Sequence, residues 1–213
     1  MLRVTSVNVG RARLIPGAES VGPSGIYKLP QHHAVAVTAQ GLEGDAICHT
    51  EDHGGPDQAV YAYGGIDYRW WATELQRPVE PGTFGENLTI NGMSSDLHVG
   101  DRLHVGSVTL EATGPRIPCA NFSARMQDRR FAKRFRDAAR PGVYFRVLQP
   151  GTVSADDAVE LVASNRSDPV GVVELFHAYY DAFPEAANLR RLLAAPIAAR
   201  LRARLQKQLD ALE

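Results

Sequence analysis

The chain has 213 residues, of which 44% are hydrophobic, and a formal net charge of −1 at pH 7. This length and composition allow a sizeable core, and the near-neutral charge argues against wholesale binding to nucleic acid or to an anionic membrane. No run approaches the ~18 apolar residues of a membrane span, and the N-terminal stretch has no apolar segment of signal-peptide length, so we expect a cytoplasmic protein.

Up to residue 164 the pattern is typical of short β-strands broken by Gly and Pro. The segments in chain order are HAVAVTA, AVYAY, NLTI, DRLHV, VTLEAT, VYFRVL and AVELVAS. The alternation of Leu103 and Val105 resumes after Gly106 and Ser107, which predicts a β-hairpin. With helical interruptions at IDYRWWATELQ and SARMQDRRFAKRFRDAA, the pattern predicts a mainly β, barrel-like domain over residues 1–164.

From residue 165 the composition changes to that of helices. SDPVGVVELFHAYYDAF, EAANLRRLLAA and PIAARLRARLQKQLDAL have helix formers with apolar residues three to four positions apart. Asp168 and Pro169 are cap and first-turn signals, and Pro196 is expected to open the last helix. We therefore expect a C-terminal three-helix tail over residues 165–213.

The last of these helices also carries four basic residues, Arg200, Arg202, Arg204 and Lys207. Such a helix could insert into a nucleic-acid groove, but the tail as a whole has 7 basic and 6 acidic residues. Leu201, Leu205 and Leu209 place an apolar stripe on the same helix, which favours packing against the rest of the fold and no role in nucleic-acid binding.

Two cysteines are too few for a disulfide framework, so each is a free thiol, a metal ligand or part of the core. Cys48 begins CHTEDH, where His49 and His53 have the i, i+4 spacing of a zinc-binding pair. The following GGPDQ breaks a helix and no second pair of close ligands follows, so we interpret Cys48 as core filler or a weakly exposed thiol.

Cys119 lies in the loop GPRIPCANFSAR, directly after the predicted hairpin. Two prolines fix the loop, Arg116 and Arg125 would favour the thiolate over the thiol, and Asn121 adds an amide suited to a polar ligand. An inert buried thiol and a Cys–His hydrolase pair are alternatives, although no nucleophile elbow accompanies the cysteine. The setting favours a reactive or metal-binding thiol.

A run of basic residues begins in the same loop. Its members are Arg125, Arg129, Arg130, Lys133, Arg134, Arg136, Arg140 and Arg146, against only Asp128 and Asp137. The run could be a solvated helix face, could hold a phosphate-bearing cofactor, or could steer an acidic protein partner. Arg125, the member nearest to Cys119, is the predicted phosphate anchor, and the rest form a candidate docking surface.

Taken together, these stretches resemble one family over nearly the whole chain. The matching segments are SGIYKLP, GLEGD, HGGPDQAVYAY, PGTFGENLTI, VGDRLHVGSVTLEATGPRIPC and PGVYFRVLQPGTV, followed by the helical tail. Their order is similar to that of bacterial MOSC proteins, named after the molybdenum cofactor sulfurase C-terminal domain, in the subgroup with a three-helix extension. The resemblance implies a barrel-like domain that binds a molybdopterin-type cofactor.

The resemblance also implies a set of site residues. Cys119 matches the cysteine that ligates molybdenum, a soft donor suited to this metal. The residues that match polar positions near the cofactor are Lys28, Asn87, Arg116 and Asn121. His53 in HGGPD is the candidate for proton delivery or for contact with the metal's oxygen ligand, and it could instead orient the Gly-rich turn. Many relatives carry Asp at the position of His49, whose role Asp45 or Asp52 could take.

The function implied is reduction of N-hydroxylated compounds such as hydroxylamino-purines, hydroxylamines and amidoximes to the amine or amidine and water. Such an enzyme needs a small-molecule substrate and an external reductase, a flavin or iron–sulfur protein, and a homodimer remains open. The alternative is a non-enzymatic carrier that hands over sulfur or cofactor through a persulfide on Cys119.

Overall fold

A computed structural model of the chain describes residues 1–19, 22–48, 50 and 53–213. Within these residues the strands are β1 (Leu2–Gly10), β2 (Lys28–Pro30), β3 (Val35–Thr38), β4 (Gly41–Leu42), β5 (Val60–Gly64), β6 (Leu88–Asn91), β7 (Arg102–Val105), β8 (Val108–Gly114), β9 (Val143–Gln149), β10 (Gly151–Val153) and β11 (Ala158–Val162). The helices are α1 (Gly65–Leu75), α2 (Ala120–Arg125), α3 (Phe131–Ala138), α4 (Val172–Tyr180), α5 (Ala186–Leu193) and α6 (Ala199–Asp210). Neither these helices nor any other in the described ranges has the length and apolarity to cross a membrane.

Seven of the described strands close into a barrel. The order is β11, β7, β8, β9, β5, β6 and β1, and β1 returns to β11 through the antiparallel pairs Leu2↔Val159 and Arg3↔Ala158. The β5–β6 pair is parallel, and α1 makes the crossover between these two strands. β2 pairs with the far end of β1, and β10, β3 and β4 form a small second sheet. The predicted mainly β, barrel-like architecture is confirmed.

The predicted hairpin is also confirmed. Val105 pairs with Val108 across the turn at Gly106 and Ser107, and the register continues from Leu103 to Leu110. The inward side chains of β7 and β8 are buried in the barrel interior together with those of β1, β6, β9 and β11. These interior side chains form one apolar cluster.

A second, aromatic core lies outside the barrel under the first three helices. Its largest fully buried rings belong to Tyr61, Tyr63, Trp71, Phe84, Phe122, Phe131, Phe135 and Phe176. The rings pack edge to face and stacked, with centroids 4.4 to 6.4 Å apart in the Phe84 and Phe135 contacts. This cluster fixes α2, and with it the cysteine loop that leads into α2.

The helical interruption predicted at SARMQDRRFAKRFRDAA consists of two separate helices, α2 and α3. Gln127 has a left-handed φ of 54°, which ends the first helix. The Ser123 hydroxyl then accepts a hydrogen bond from the Ala132 backbone at 3.1 Å and begins the second. The break lets Phe122 and Phe131 meet with ring centroids 5.1 Å apart, which one straight helix would not allow.

Three helices follow the barrel, as expected, but α4 begins later than Asp168 and Pro169 indicate. Val170 accepts a hydrogen bond from the Val99 backbone at 2.9 Å, and Val172 donates one to Leu97 at 2.8 Å, so this segment pairs in an extended conformation. The helix therefore starts at Val172. Asp168 forms an ion pair with Arg191 instead of capping the helix.

The tail helices pack against the barrel, and the predicted burial of Leu201, Leu205 and Leu209 is confirmed. These leucines belong to the same apolar cluster as the barrel interior and β8. The backbone of Ala198 donates to Thr113 at 3.0 Å, which fixes α6 beside the end of β8. A division into residues 1–164 and 165–213 is a proposal about folding units, and these shared contacts predict that the two parts unfold together.

Candidate functional site

An inner cavity of about 80 Å³ lies where β2, β5, the end of β9 and the cysteine loop meet. Six of the residues singled out in the sequence line it: Lys28, His53, Asn87, Arg116, Cys119 and Asn121. Residues that are up to 93 positions apart in sequence therefore line one cavity in the folded chain. The contacts that each side chain makes within the protein determine whether it is available to bind a ligand.

Lys28 and Asp45 form a buried ion pair at the floor of this cavity. The Lys28 Nζ donates to Asp45 Oδ1 at 2.6 Å, and the two side chains are only 9% and 4% exposed. Asp45 also accepts from the Gly10 backbone at 2.8 Å and from Asn87 Nδ2 at 2.9 Å. Burial lowers the pKa of Lys28, and the adjacent Asp45 carboxylate opposes that shift. The charge of Lys28 is therefore balanced within the fold.

Asn87 is also occupied by the protein itself. Its Oδ1 accepts a hydrogen bond from the Tyr61 backbone at 3.1 Å while its Nδ2 donates to Asp45. This side chain links β5 to the floor of the cavity and holds the Asp45 carboxylate in place. Asp45 was considered in the sequence only as a substitute acid, although the motif GLEGD ends on it; its contacts here make it the centre of the cavity floor.

Arg116 differs from Lys28 in having no counter-ion among the described residues. It is 5% exposed, and its Nε is buried without a hydrogen-bond partner. Its guanidinium carbon lies 4.8 Å from the Phe122 ring centroid and 5.3 Å from that of Tyr61. Burial lowers the pKa of Arg116, but nearby phenol and thiol groups raise it and the net shift is upward, so the side chain stays charged.

The backbone leaves room for this buried cation at Gly85. A Cβ on Gly85 would lie 3.3 Å from Arg116 Nη1 and 3.1 Å from Ile26, and the residue has a φ of +75°. On the opposite wall a Cβ on Gly25 would lie 1.9 Å from the Ala46 carbonyl oxygen. Both glycines keep the cavity walls close together, so a ligand there would contact backbone on two sides.

Cys119 is the N-terminal flanking residue of α2 and is half-buried. Its carbonyl accepts from the backbone of Phe122 at 3.1 Å, which fixes the thiol at the point where the loop enters the helix. Asn121, two residues on, is buried, and its Oδ1 accepts no hydrogen bond from any described residue. A buried amide oxygen without a donor is costly, so Asn121 is suited to accept from a bound ligand.

Cys48, interpreted from the sequence as core filler or a weakly exposed thiol, lines the same cavity as Cys119. It is a free, half-buried thiol. His49 belongs to the zinc hypothesis and to the comparison with Asp-containing relatives, and Asp52 is one of the acids that could take the role of that Asp. Both residues lie outside the described residues. Across the ranges that are described, no group of three or more His, Cys, Asp or Glu side chains is placed to hold a metal ion.

A second, outer cavity of about 350 Å³ adjoins the inner one. The residues common to both are His53, Gln58, Cys119 and Tyr144. Tyr144, on β9, is an addition to the site that the strand pattern of VYFRVL did not reveal. Burial raises the pKa of Tyr144, so its phenol is protonated at neutral pH, and no hydrogen bond joins its hydroxyl to a described residue.

Arg125 is not among the residues that line either cavity. Its guanidinium lies 4.5 Å from the Tyr27 ring centroid, and Arg13 lies over the same ring at 3.5 Å. Burial lowers the pKa of Arg125, and Arg13 and Arg77 lower it further. Arg125 therefore belongs to a cluster of cations beside the cavity, and its role as a phosphate anchor stays a prediction.

Most of the basic run after Arg125 is paired with acids, some from the run itself and some from other elements. The ion pairs are Lys133–Asp137, Arg136–Asp137, Arg134–Asp128, Arg134–Glu74, Arg140–Asp67, Arg146–Asp57 and Arg146–Glu111. Arg129 and Arg130 are exposed and have no ion pair to a described residue. A docking surface on this run would therefore depend on those two side chains.

Glu86, between the cavity-lining residues Gly85 and Asn87, is buried and fixes their loop. Its Oε1 accepts from the Gly82 backbone and the Thr89 hydroxyl, each at 2.7 Å, and from the Tyr68 hydroxyl. Burial raises the pKa of Glu86 above its ordinary value of 4.5, although these donors oppose the shift.

This shift predicts a pH dependence of stability. An acid whose pKa is higher in the folded state binds more protons folded than unfolded between the two pKa values, so it costs stability as pH rises through that window. Replacing Glu86 by Gln removes the titration. We expect the free energy of unfolding of Glu86→Gln, relative to that of the parent, to increase from pH 4.5 to pH 7.5. Urea unfolding of both proteins at both pH values measures this difference, and a difference that is the same at the two pH values would contradict the prediction.

The barrel, the cysteine loop and the paired cavities together define a class of protein. The MOSC domain family matches residues 49–160, more than half of the chain, and the chain belongs to that family. MOSC domains are associated with binding of the molybdenum cofactor.

The relatives extend the match to the whole chain. The uncharacterized protein YflK of Bacillus subtilis (strain 168) is 30% identical over 213 residues, which cover 98% of this chain and 95% of YflK. Protein YiiM of Escherichia coli (strain K12) is 33% identical over 145 residues, 66% of this chain and 65% of YiiM. The crystal structure of YiiM from Geobacillus stearothermophilus has a TM-score of 0.82 and 29% identity, covering 98% of this chain and 100% of that one.

Proposed function

We propose that this protein is a molybdenum-cofactor-dependent reductase of N-hydroxylated compounds, acting in the cytoplasm. The observation that carries the proposal is a buried Arg116, with no counter-ion among the described residues, that lines the same cavity as the free, half-buried Cys119. A folded protein does not keep an uncompensated buried cation without cost, and a cofactor that carries a phosphate supplies the missing charge.

The residues present fit this cofactor. Cys119 offers a soft sulfur donor for molybdenum, Arg116 offers a guanidinium for the phosphate, and the unpartnered Asn121 Oδ1 accepts from N–H groups of a pterin. Lys28 and Asn87 already donate hydrogen bonds to Asp45. They would therefore shape the cavity floor and contribute to its electrostatic potential without bonding to the cofactor. Arg125 stands outside the cavity walls and would act at longer range.

The reaction R–NHOH + 2e⁻ + 2H⁺ gives R–NH2 and H2O. When bound, the molybdenum cofactor supplies a two-electron centre that accepts the substrate oxygen. The chain has to supply protons and exclude water at the point where the N–O bond breaks. Tyr144, protonated and at the junction of the two cavities, and His53 on the same walls are the groups that can hold a proton there.

One experiment separates this enzyme from the alternative of a carrier that uses a Cys119 persulfide. The full-length protein is expressed in a host that makes the cofactor, and its molybdenum content, its sulfane sulfur and its reduction of 6-hydroxylaminopurine with dithionite are measured. We expect bound molybdenum and turnover. Protein that holds sulfane sulfur on Cys119, with no molybdenum and no turnover, would establish the carrier.

Electron supply is expected to come from a flavin or iron–sulfur protein that docks on Arg129 and Arg130, the exposed cations of the basic run that have no ion pair to a described residue. We expect Arg129→Glu/Arg130→Glu to slow turnover driven by a protein reductase about tenfold at low salt, because exposed charges act through long-range attraction. The effect should fade as ionic strength rises and the Debye length falls.

Dithionite-driven turnover is the internal control for this double variant, since a small reductant needs no docking surface. It should be unchanged, as should the molybdenum content. Equal loss with both reductants, or no loss with either, would show that Arg129 and Arg130 are solvated surface charges without a docking role.

A further inference from the structure

The outer cavity is built partly from the helical extension, beyond the part of the chain that the MOSC family model matches. Residues 49–160 carry the match, whereas α4 contributes Tyr179 and α6 contributes Arg200, Leu201 and Arg204 to the cavity wall. Its volume of about 350 Å³ is within the range of small-molecule sites. A wall supplied by the extension can give this protein a selectivity that the barrel alone does not determine.

The cavity opens directly onto the reactive end of the site. Cys119, His53 and Tyr144 line both cavities, so a molecule in the outer one reaches the thiol that the inner one presents. The inner cavity, with its buried Arg116, is the place for the cofactor under the proposed function. The outer cavity is then the place for the substrate.

The outer walls favour a flat, weakly polar group. Pro115, Ile117, Pro118 and Leu201 provide apolar surface, and Tyr179 and Tyr144 provide aromatic rings. The proline rings and the buried Tyr144 are stiff, so this part of the wall is set before a ligand arrives, whereas Tyr179 is half-buried. A planar heteroaromatic ring is the kind of group that such a surface binds well.

The described residues of the outer cavity give it a positive charge. Arg200 and Arg204 line it, and no Asp or Glu is among its lining residues in the described part of the chain. Arg200 donates to the Gly54 carbonyl at 2.8 Å and to Gln58 Oε1 at 2.7 Å, both uncharged acceptors. Arg204 lies 5.5 Å from the Tyr179 ring centroid and has no ion pair to a described residue. Both positive charges are therefore without a described counter-ion.

Arg204 is distinguished from the other cations of α6 by this arrangement. Arg202 donates to the carbonyls of Leu193 and Ala195, which gives it a structural role at the start of the helix. Lys207 is exposed and does not line the cavity. A guanidinium over a tyrosine ring at the rim of a cavity can turn toward an anion without breaking a hydrogen bond of the fold.

We infer that the outer cavity selects planar N-hydroxylated substrates that also carry an anionic group, with the ring against Tyr179 and the anion on Arg204. The part of this inference that concerns turnover rests on the proposed function, whereas the part that concerns ligand binding does not. A purine nucleoside 5′-monophosphate has both features, and the uncharged nucleoside has only the ring.

Binding is tested without turnover. Isothermal titration calorimetry on the full-length chain compares adenosine 5′-monophosphate, adenosine and inorganic phosphate. We expect the nucleotide to bind more tightly than either the nucleoside or phosphate alone. Arg204→Gln should lower the nucleotide's advantage over the nucleoside about fivefold, the size of a rim charge partly screened by solvent. Lys207→Gln, the matched loss of charge on the same helix, should leave that advantage intact.

Turnover of the cofactor-loaded enzyme gives the second readout. We expect kcat/KM to be higher for 6-hydroxylaminopurine riboside 5′-monophosphate than for the riboside, and this ratio to fall in Arg204→Gln but not in Lys207→Gln. Equal affinity for nucleotide and nucleoside, or equal effects of the two variants, would overturn the inference. Nucleotide binding that depends on Arg204 in a protein without reductase activity would support the anionic site and refute the proposed reaction.

Discussion

Replacing Cys119 by Ser is expected to lower the turnover of N-hydroxylated substrates at least about a hundredfold while the fold is kept. Serine is nearly the same size, but it offers a hard, protonated hydroxyl where the thiol offers a soft sulfur donor. Changes to groups that only orient metal ligands already cost ~10- to 100-fold, so loss of the ligand itself should cost more. The measurements are dithionite-driven turnover, molybdenum content and the thermal midpoint.

Cys48 supplies a matched control for this variant, because it is the other half-buried thiol on the same cavity wall. Cys48→Ser makes the same chemical change at another thiol of this cavity and should leave turnover and molybdenum content near those of the parent. Parental turnover in Cys119→Ser would show that Cys119 is not the metal ligand. Loss of metal in Cys48→Ser alone would transfer that role to Cys48.

The strands that a sequence pattern reveals best are those that alternate regularly. β7 and β8 do so, and their hairpin was predicted with the correct turn. β1 is longer, at nine residues, but it was not recognised. Its register shifts between Val4 and Ser6, so Val4 and Val7 are both buried although they are three positions apart. A β-bulge removes the period of two on which the prediction depends.

Charge counts along a sequence are also misleading where the partners are distant. The basic run after Cys119 has two acids nearby in sequence, but Glu74, Asp67, Asp57 and Glu111 come from other elements and pair with it in the fold. Two of its arginines remain exposed without an ion pair to a described residue. Tertiary pairing therefore reduces a broad candidate surface to Arg129 and Arg130.

The polar residues predicted from the family pattern all line one cavity: Lys28, Asn87, Arg116 and Asn121. The pattern did not distinguish their roles. Lys28 and Asn87 donate hydrogen bonds to Asp45, whereas Arg116 Nε and Asn121 Oδ1 have no hydrogen-bond partner in the part of the chain that the structure describes. Sequence shows only that a polar residue is present. Whether its hydrogen-bonding capacity is already used depends on where the chain places a second residue, in this case Asp45.

Because Lys28 has a buried counter-ion and Arg116 has none among the described residues, replacing each by Met should change the stability in opposite directions. Arg116→Met removes a buried cation without a described counter-ion, so the protein without cofactor should become more stable by about 1 kcal/mol or more. Lys28→Met leaves the buried Asp45 carboxylate without its cation, so the same protein should lose ~3 kcal/mol. Urea unfolding of both variants without cofactor measures the two opposite signs.

Arg116→Met is expected to be favourable for the cofactor-free protein but unfavourable for binding of the cofactor. If its guanidinium binds a phosphate in the buried site, Arg116→Met should retain the cofactor at least about tenfold more weakly, since a charge-assisted hydrogen bond to an ionised group is worth ~1.5–3 kcal/mol. Molybdenum content after extended dialysis measures retention. An Arg116→Met protein that is less stable without cofactor would mean that the fold itself balances this charge. One that keeps its molybdenum through dialysis would mean that the phosphate is held elsewhere, and Arg125, beside Tyr27, would be the next residue to change.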